Sequence, residues 1–329
     1  MRAWGPRVVL PVAILAALLI GTVLWWWFTE RAPGSLAEDR LVVLESGAGV
    51  AAIAERLEAE GVIGSAFAFK VSAALYRSTL QAGEYLFPAG ASIDEALAML
   101  ERGQVYIRQL TIPEGLTAAQ VLALVDEAPA LEGASPESVS EGALLPETYN
   151  YTLGETRADV VQRMRDAMDR ALAELWATRA PELPFKSPEE ALVLASIVEK
   201  ETGVPEERAR IAGVFLNRLE LSMPLQSDPT VVYALTQGKE ALGRPLTGAD
   251  LELDSPYNTY RVKDLPPTPI ASPGRAALEA TLHPLETDEL YFVATGAGGH
   301  AFAKTLDEHN ENVSRYRAQQ ANEAPAQSP

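Results

Sequence analysis

The sequence predicts an α+β protein with a single N-terminal transmembrane helix, a small β-α-α-β module and a larger mixed α+β domain. Three observations predict this arrangement. An uncharged run of 21 residues lies near the start, short strand and helix patterns alternate to about residue 107, and longer helical patterns follow. The length of 329 residues is enough for two domains besides a membrane segment.

Charge and composition exclude several classes of protein. The formal net charge is −18, with 27 Lys and Arg against 45 Asp and Glu, which argues against nucleic acid as a partner, because phosphates require clustered cations. The absence of cysteine excludes disulfide scaffolds, iron–sulfur clusters and thiol nucleophiles. His300 and His309 lie nine residues apart without a zinc-protease pattern, so we expect no metal and no cofactor.

The uncharged run, residues 8–28, is long enough to span the hydrocarbon core of a bilayer as a helix. Trp25 and its two neighbours close the run where an aromatic belt forms, and Arg2 and Arg7 precede it. These charges predict residues 1–28 to be a cytoplasmic stub and transmembrane helix, with the rest of the chain outside the cytoplasm. A cleaved signal peptide is the alternative, but no small-residue cleavage site follows the run directly.

A linker is predicted at residues 29–39 and a small module at residues 40–107. The predicted elements of the module are a strand at 41–44, helices at 49–60 and 65–76, a strand at 82–87 and a helix ending at 101. Ser92 and Glu95 predict a capping box for that last helix. The β-α-α-β order resembles a LysM-type module, a small glycan-binding unit of bacterial surface proteins.

The larger domain is predicted at residues 108–320, and its first part, 108–150, connects it to the module. We expect a strand at 109–112, a helix from the Thr117 cap to Glu127 and a long amphipathic helix at 158–179. Residues 321–329 are predicted to form a disordered tail.

One helix of this domain carries two carboxylates at the end of an apolar segment. Ser187 and Pro188 predict its start, and residues 191–198 carry no charge, so the helix should be buried on nearly all sides. Glu199 and Glu201 follow, where burial and the helix dipole both raise a carboxyl pKa by disfavouring the ionised form. A carboxylic acid that stays protonated near neutral pH is suited to general acid catalysis.

Glu201 is the preferred candidate of the two. It lies four and seven residues after Ile197 and Leu194 and continues their apolar stripe, whereas Glu199 follows a face of smaller residues. The alternative is that both glutamates are solvated charges at a helix end, with Lys200 between them.

Ordered sequence blocks resemble those of the endolytic murein transglycosylases, the YceG-like or MltG family. They are residues 194–202 (LASIVEKET), 214–219 (VFLNRL), 225–230 (LQSDPT), 257–260 (YNTY), 265–267 (LPP), 269–274 (PIASPG), 283–284 (HP), 291–293 (YFV), 298–300 (GGH) and 309–310 (HN). The resemblance extends from the anchor to about residue 316. It implies one transmembrane helix, a LysM-like subdomain and a catalytic domain with lysozyme-like features.

The resemblance also implies a reaction, the non-hydrolytic cleavage of the β-1,4 bond between N-acetylmuramic acid and N-acetylglucosamine in nascent peptidoglycan. One glutamate protonates the glycosidic oxygen and then takes a proton from the muramyl C6 hydroxyl, which closes a 1,6-anhydro ring. An internal nucleophile removes the need for a second carboxylate. The family's glutamate precedes a hydroxyl residue, which matches Glu201 and Thr202 here. The implied place is the bacterial inner membrane, with peptidoglycan synthases as partners and the end of strand elongation as the outcome.

Six further residues are predicted to bind the glycan: Glu147, Gln226, Asp228, Tyr257, Asn258 and Tyr260. Glu147, Gln226 and Asp228 are implied by the family blocks, although Asp228 is also a good N-cap before Pro229. The last three follow a predicted turn, and sugars stack on aromatic rings and bond to amides. The alternative for the two tyrosines is packing beneath the proline-rich loop.

Two other functions are compatible with the sequence. The first is a non-catalytic, membrane-anchored scaffold that binds peptidoglycan, which the predicted buried acid disfavours because a binder does not need one. The second is a hydrolytic muramidase, which needs a second carboxylate, and Glu199 and Asp228 are the candidates for it.

Overall fold

The N-terminal helix, α1, covers Pro6–Arg31. The structure is a computed structural model that describes residues 6–323. Within α1, the 22 residues Leu10–Arg31 are long and apolar enough to cross a membrane, and the side chains from Leu10 to Trp25 are exposed. A membrane anchor and a signal sequence share these properties. The predicted orientation stays a prediction, and Arg2 lies outside the described residues.

The chain divides into two compact units, one of residues 1–108 with 150–154 and one of residues 109–149 with 155–329. The first unit contains β1 (Arg40–Leu44), α2 (Val50–Ala59), α3 (Ala66–Tyr76), β2 (Gly83–Phe87) and α4 (Ile93–Arg102) after α1. The predicted β-α-α-β order with its following helix is therefore confirmed, whereas the likeness to LysM stays a prediction. Strands β1 and β2 pair antiparallel, with Val42 opposite Tyr85.

Local signals explain most of these elements. Ser92 caps α4 by accepting a hydrogen bond from the Glu95 amide, and the Glu95 carboxylate accepts one from the Ser92 amide at 2.8 Å, as the capping box predicts. The core of this unit is formed by fully buried side chains from both helices and both strands: Leu57, Phe69, Tyr85, Phe87 and Leu100.

The C-terminal end of α1 packs on the module in the first unit. Glu30 is buried, and its carboxylate accepts hydrogen bonds from the Ser72 hydroxyl at 2.5 Å and the Tyr76 hydroxyl at 3.2 Å. Residues 29–31, predicted as the start of a linker, are therefore helical. The following segment is also anchored, because the Gly34 amide donates to the carbonyls of Gly90 and Ala91.

Most elements of the second unit are helices. Strands β3 (Arg108–Thr111) and β4 (Thr148–Tyr151) lie where the chain passes between units, and the remaining elements are α5 (Ala118–Glu127), α6 (Arg157–Ala177), α7 (Pro188–Glu201), a 3₁₀ turn (Pro205–Glu207), α8 (Arg208–Glu220), α9 (Asp228–Thr236), α10 (Gly248–Leu251), α11 (Arg275–Leu282), the antiparallel hairpin β5 (Tyr291–Ala294) and β6 (His300–Ala303), and α12 (Leu306–Glu323). Since α12 runs to Glu323, the first three residues of the predicted disordered tail are helical. Residues 324–329 lie outside the described part.

Helix α7 lies at the centre of this unit and packs against α6, α8, α9 and α11. All eight residues of its uncharged segment, 191–198, are buried, as the sequence predicts. It begins at Pro188 with Ser187 as the N-cap residue, as the sequence predicts, but the bond that stabilises this start is a different one. The Ser187 side chain makes no capping bond, and the Glu190 carboxylate instead accepts the Lys186 amide at 2.6 Å. Because this segment is buried, the surrounding helices fix the position of α7 and of Glu201 at its C-terminal end.

Candidate active site

Glu201 is the last residue of α7, and its carboxylate is partly buried. The Ser227 hydroxyl donates a hydrogen bond to Glu201 Oε1 at 2.5 Å. The pKa of Glu201 is raised to about 7, chiefly because the carboxyl is buried. The negative charge of Asp228 acts in the same direction, whereas the Ser227 hydrogen bond and the Arg218 charge act to lower this pKa. The group can therefore hold a proton at neutral pH and also release one, which are the two properties of a general acid–base catalyst.

Ser227 is held rigidly against Glu201. Its amide donates to Thr259 Oγ1 at 3.0 Å, and its carbonyl accepts from the Thr230 hydroxyl at 2.6 Å. The preceding Gln226 amide donates to the Thr259 carbonyl at 3.0 Å. Because the residue is buried and its backbone is bonded on both sides, the direction of the Ser227 hydroxyl is fixed by the fold.

Arg218, on α8, anchors the segment that leads to Ser227. Its guanidinium is buried and donates to the carbonyls of Leu290 at 2.6 Å, Pro224 at 3.1 Å and Leu225 at 2.8 Å. Charged donors to carbonyls are among the stronger hydrogen bonds in proteins. Arg218 thus connects α8 to Leu290, the residue before β5, and to residues 224–225. Its positive charge also favours the ionised form of Glu201.

Asp228 and Tyr260 lie next to this pair. The Tyr260 hydroxyl donates to Asp228 Oδ1 at 2.6 Å, and burial together with this carboxylate raises the pKa of Tyr260. Asp228 is not the N-cap of α9, the alternative role that its position before Pro229 suggests, because the N-cap is Ser227 and Asp228 is the first helical residue. Its carboxylate is exposed and is oriented by Tyr260.

The other two residues of the 257–260 block are engaged within the protein. Asn258 is fully buried, its amide donates to the carbonyls of Leu251 and Leu253, and its Oδ1 accepts the Tyr260 amide. The polar atoms of Asn258 hold the loop, and its predicted contact with a sugar stays a prediction. Tyr257 bonds through its hydroxyl to Thr268 at 2.8 Å.

The ring of Tyr257 lies 5.0 Å from that of Tyr233, centroid to centroid. This arrangement corresponds to the alternative in which the tyrosine packs beneath the proline-rich loop.

Gln226 is exposed and adjacent to Ser227, with its side-chain oxygen 3.4 Å from Arg218 Nη1. Glu147 is exposed, and no hydrogen bond joins it to Glu201 or Asp228 within the described residues. Of the predicted residues, the fold thus brings together Glu201, Gln226, Asp228 and Tyr260.

Glu199 belongs to a different cluster. Its Oε2 accepts the Gly274 amide at 2.9 Å, and its Oε1 lies 3.8 Å from Arg208 Nη2. Arg208 also contacts Glu114 at 3.4 Å. Burial raises the pKa of Glu199, but the carboxylate is committed to an amide and a guanidinium. We infer that Glu199 supports the loops around α7 and that Glu201 is the available acid.

His300 and His309 are engaged with other side chains of the protein. His300 donates its amide to one oxygen of Glu207, and its Nδ1 bonds to the other at 2.7 Å, while the His309 ring stacks on Tyr291. Within residues 6–323, no group of three or more His, Asp or Glu side chains is arranged to hold a metal ion.

Replacing Glu201 by Gln should make the protein more stable than wild type at pH 8 and nearly equal to it at pH 4. A glutamate titrates near 4.5 without these surroundings and near 7 in the folded protein, so the folded state favours the protonated form. The stability contributed by this group is complete below pH 4.5 and is lost as the pH rises through 7. We expect the difference in the free energy of unfolding to grow by about 1–3 kcal/mol across this window.

Thermal unfolding of both proteins at pH 4, 6 and 8 measures this difference. Glu147→Gln is the matched control, because it makes the same change of side chain at an exposed position. A difference between Glu201→Gln and wild type that is constant with pH would contradict the elevated pKa.

Comparison with known proteins shows which family the chain is similar to. The sequence model of the YceG-like family matches residues 42–315. A protein of Bacillus subtilis (strain 168) named endolytic murein transglycosylase is 34% identical over 306 residues, which cover 83% of this chain and 83% of that protein. A protein of the same name from Streptococcus pneumoniae (serotype 2, strain D39) is 31% identical over 328 residues, covering 84% of this chain and 58% of that protein.

A solved structure is also similar. A crystal structure of a YceG-like protein from Listeria monocytogenes aligns with a TM-score of 0.53 and 31% identity, covering 83% of this chain and 99% of that one. The relatives and the site together place the chain among enzymes of the lytic transglycosylase class, which are lyases. The chain belongs to the YceG-like family.

Proposed function

We propose that this protein is a membrane-anchored endolytic lytic transglycosylase that cleaves the MurNAc–GlcNAc β-1,4 bond of nascent peptidoglycan. Its products would carry 1,6-anhydroMurNAc ends, and cleavage would terminate the elongation of glycan strands. The observation that carries this proposal is the Glu201 carboxyl, with a pKa near 7 and a fixed hydrogen bond from Ser227. The names of the curated relatives support the same substrate.

The chemistry follows from one carboxyl group. The protonated Glu201 donates its proton to the glycosidic oxygen as the bond from that oxygen to the muramyl C1 breaks. The resulting carboxylate takes the proton of the muramyl C6 hydroxyl while O6 forms a bond to C1. No water is consumed, and Glu201 ends the cycle protonated.

Ser227 and Asp228 assist at different moments of this cycle. The Ser227 hydroxyl donates a hydrogen bond to the carboxylate form of Glu201. It therefore stabilises Glu201 between the two proton transfers and still allows Glu201 to be protonated again. The Asp228 charge raises the pKa of Glu201 and also favours positive charge at the neighbouring sugar carbon. The exposed polar groups of Gln226 and Asp228 are suited to sugar hydroxyls and acetamides, and Tyr260 orients Asp228.

Product analysis tests the reaction. Muropeptides released by the full chain from peptidoglycan should be lighter by one water than the products of a muramidase, because the anhydro ring replaces a free reducing end. Mass spectrometry of the digest distinguishes the two. Hydrated products would assign a muramidase with a second carboxylate, and an absence of any cleavage would favour a non-catalytic scaffold.

The proposed location is the bacterial inner membrane, with α1 as a single-pass anchor and the catalytic part outside the cytoplasm. The module at residues 40–107 would engage the glycan in the manner of a LysM unit, residues 108–320 would form a catalytic domain with lysozyme-like features, and peptidoglycan synthases are the expected partners. The length and apolar composition of α1 support the anchor.

A reporter that is active only in the cytoplasm should be silent when it is fused after Pro329. The positive charges of Arg2 and Arg7 before an uncharged span predict this orientation. The same reporter fused before Met1 is the positive control. A strong cytoplasmic signal from the C-terminal fusion would contradict both the orientation and access to the proposed substrate.

A further inference from the structure

A cavity of about 500 Å³ lies in the second unit beside the start of α9. Its lining includes the apolar side chains of Pro229, Val232 and Ile270 and the ring of Tyr233, together with Lys200 and Asp228. This volume is within the range of sites that hold small ligands, and the mixture of apolar wall and few polar groups is typical of them.

The cavity adjoins the catalytic group. Asp228 is the residue that follows Ser227, which bonds to Glu201, and Lys200 directly precedes Glu201 on α7. A substrate whose scissile bond lies at Glu201 would therefore place a neighbouring group over this cavity.

Lys200 brings a positive charge to the cavity, and this charge acts at a distance on Glu199, whose pKa it lowers. Its Nζ donates to the Gly115 carbonyl at 3.1 Å, and it makes no salt bridge with any carboxylate within residues 6–323. The nearest carboxylate in sequence besides Glu201 is Glu199, which is occupied by the Gly274 amide and Arg208. An ammonium has three donors, so two of them are available to a ligand.

The other charged groups of the lining differ from Lys200. Arg244 is held by Asp250 through two hydrogen bonds of 2.6 and 2.9 Å, so its charge is already neutralised. Asp228 accepts from Tyr260, and Glu240 is exposed at the rim. Among the described residues, Lys200 is thus the cation of this lining that is not held in a salt bridge.

We propose that this cavity binds the peptide stem of the muramyl residue and that Lys200 pairs with a carboxylate of that stem. The inference rests on the proposed function, because it takes peptidoglycan as the substrate. Stem peptides combine alanine methyl groups with free carboxylates, which suit the apolar wall and the ammonium respectively. Binding here would make the enzyme prefer strands that still carry their stems.

The test compares three substrates with the full chain in detergent: glycan strands with intact stems, the same strands with stem carboxylates amidated, and strands from which an amidase has removed the stems. Lys200→Gln should raise KM for intact strands about tenfold, because a charge-assisted contact is lost, and should change KM for the other two by less than about twofold. Lys200→Arg should restore most of the affinity for intact strands.

One further variant tests the direction of the charge effect on KM, and a second controls for the change in net charge. Glu240→Gln removes a negative charge from the rim and should lower KM for intact strands, opposite to Lys200→Gln. Lys239→Gln changes the net charge by the same amount as Lys200→Gln outside the lining and should leave all three KM values near wild type.

Equal effects of Lys200→Gln on all three substrates would overturn the proposal and assign Lys200 a structural role through Gly115. An effect that persists on stripped strands, whose remaining carboxylate is the lactyl group, would also overturn the assignment to the stem. The proposed function has a separate readout, since it fails only if wild type releases no anhydro products from any of the three substrates.

Discussion

Glu201→Gln is expected to reduce the release of anhydro-muropeptides by at least about 10³-fold. General acid–base transfer is worth roughly 10²–10⁴-fold, and here a single group serves both proton transfers, so the loss should lie in the upper part of that range. The amide preserves the size of the side chain and its ability to accept the Ser227 hydrogen bond, but it has no transferable proton. The measurement is mass spectrometry of products at matched concentrations of folded protein.

Glu199→Gln is the matched control on the same helix end. Its carboxylate accepts the Gly274 amide and lies near Arg208, so its loss should lower activity mildly, by about tenfold or less, and should lower stability. If Glu199→Gln abolished the release of anhydro-muropeptides and Glu201→Gln retained it, Glu199 and not Glu201 would be the catalytic acid. Retention by both variants would contradict the assignment of the chemistry to α7.

The part of the site that lies on one helix could be predicted from the sequence. Helical periodicity placed Glu201 on the same stripe as Ile197 and Leu194, both of which are fully buried, and the burial of that stripe accounts for the raised pKa. The same local signals predicted the α4 capping box and the cap of α5 by Thr117, because these depend on residues three apart in sequence.

The parts that depend on contacts between distant segments could not be predicted. Ser227 and Arg218 lie within the blocks that carry the family resemblance, yet nothing in their spacing shows that one would bond to Glu201 and the other to three carbonyls. Periodicity describes one element at a time, whereas these bonds join α7 or α8 to loops many residues away. Only the fold reveals them.

Asn258 shows that a loop amide can have two uses. An amide beside two tyrosines suggests a sugar contact, but an amide in a loop can also satisfy the backbone of that loop, and the sequence does not distinguish the two uses. Asn258 is buried and bonds to the carbonyls of Leu251 and Leu253, which is the second use. The Asn258 Oδ1 also accepts the Tyr260 amide and so helps to fix the position of Tyr260.

Arg218→Met is expected to lower the free energy of unfolding by about 3–5 kcal/mol, because three carbonyls lose their charged donor and a methionine cannot replace it. For a unit of this size the melting temperature should fall by roughly 10 °C. Arg275→Met is the control. Arg275 is half-exposed and pairs with an exposed Glu174, so its loss should cost about 0.5 kcal/mol or less.

The pH profile of Arg218→Met separates a catalytic contribution from simple destabilisation. The Arg218 charge lowers the pKa of Glu201, so its removal should raise that pKa and move the alkaline fall of kcat/KM to higher pH, measured below the melting temperature of the variant. Arg218→Lys keeps the charge but not the fork that reaches three carbonyls, so it should restore the profile more than the stability. A profile unchanged in both variants would limit Arg218 to a structural role, and a melting temperature near that of wild type would contradict its role as the anchor of residues 224–227.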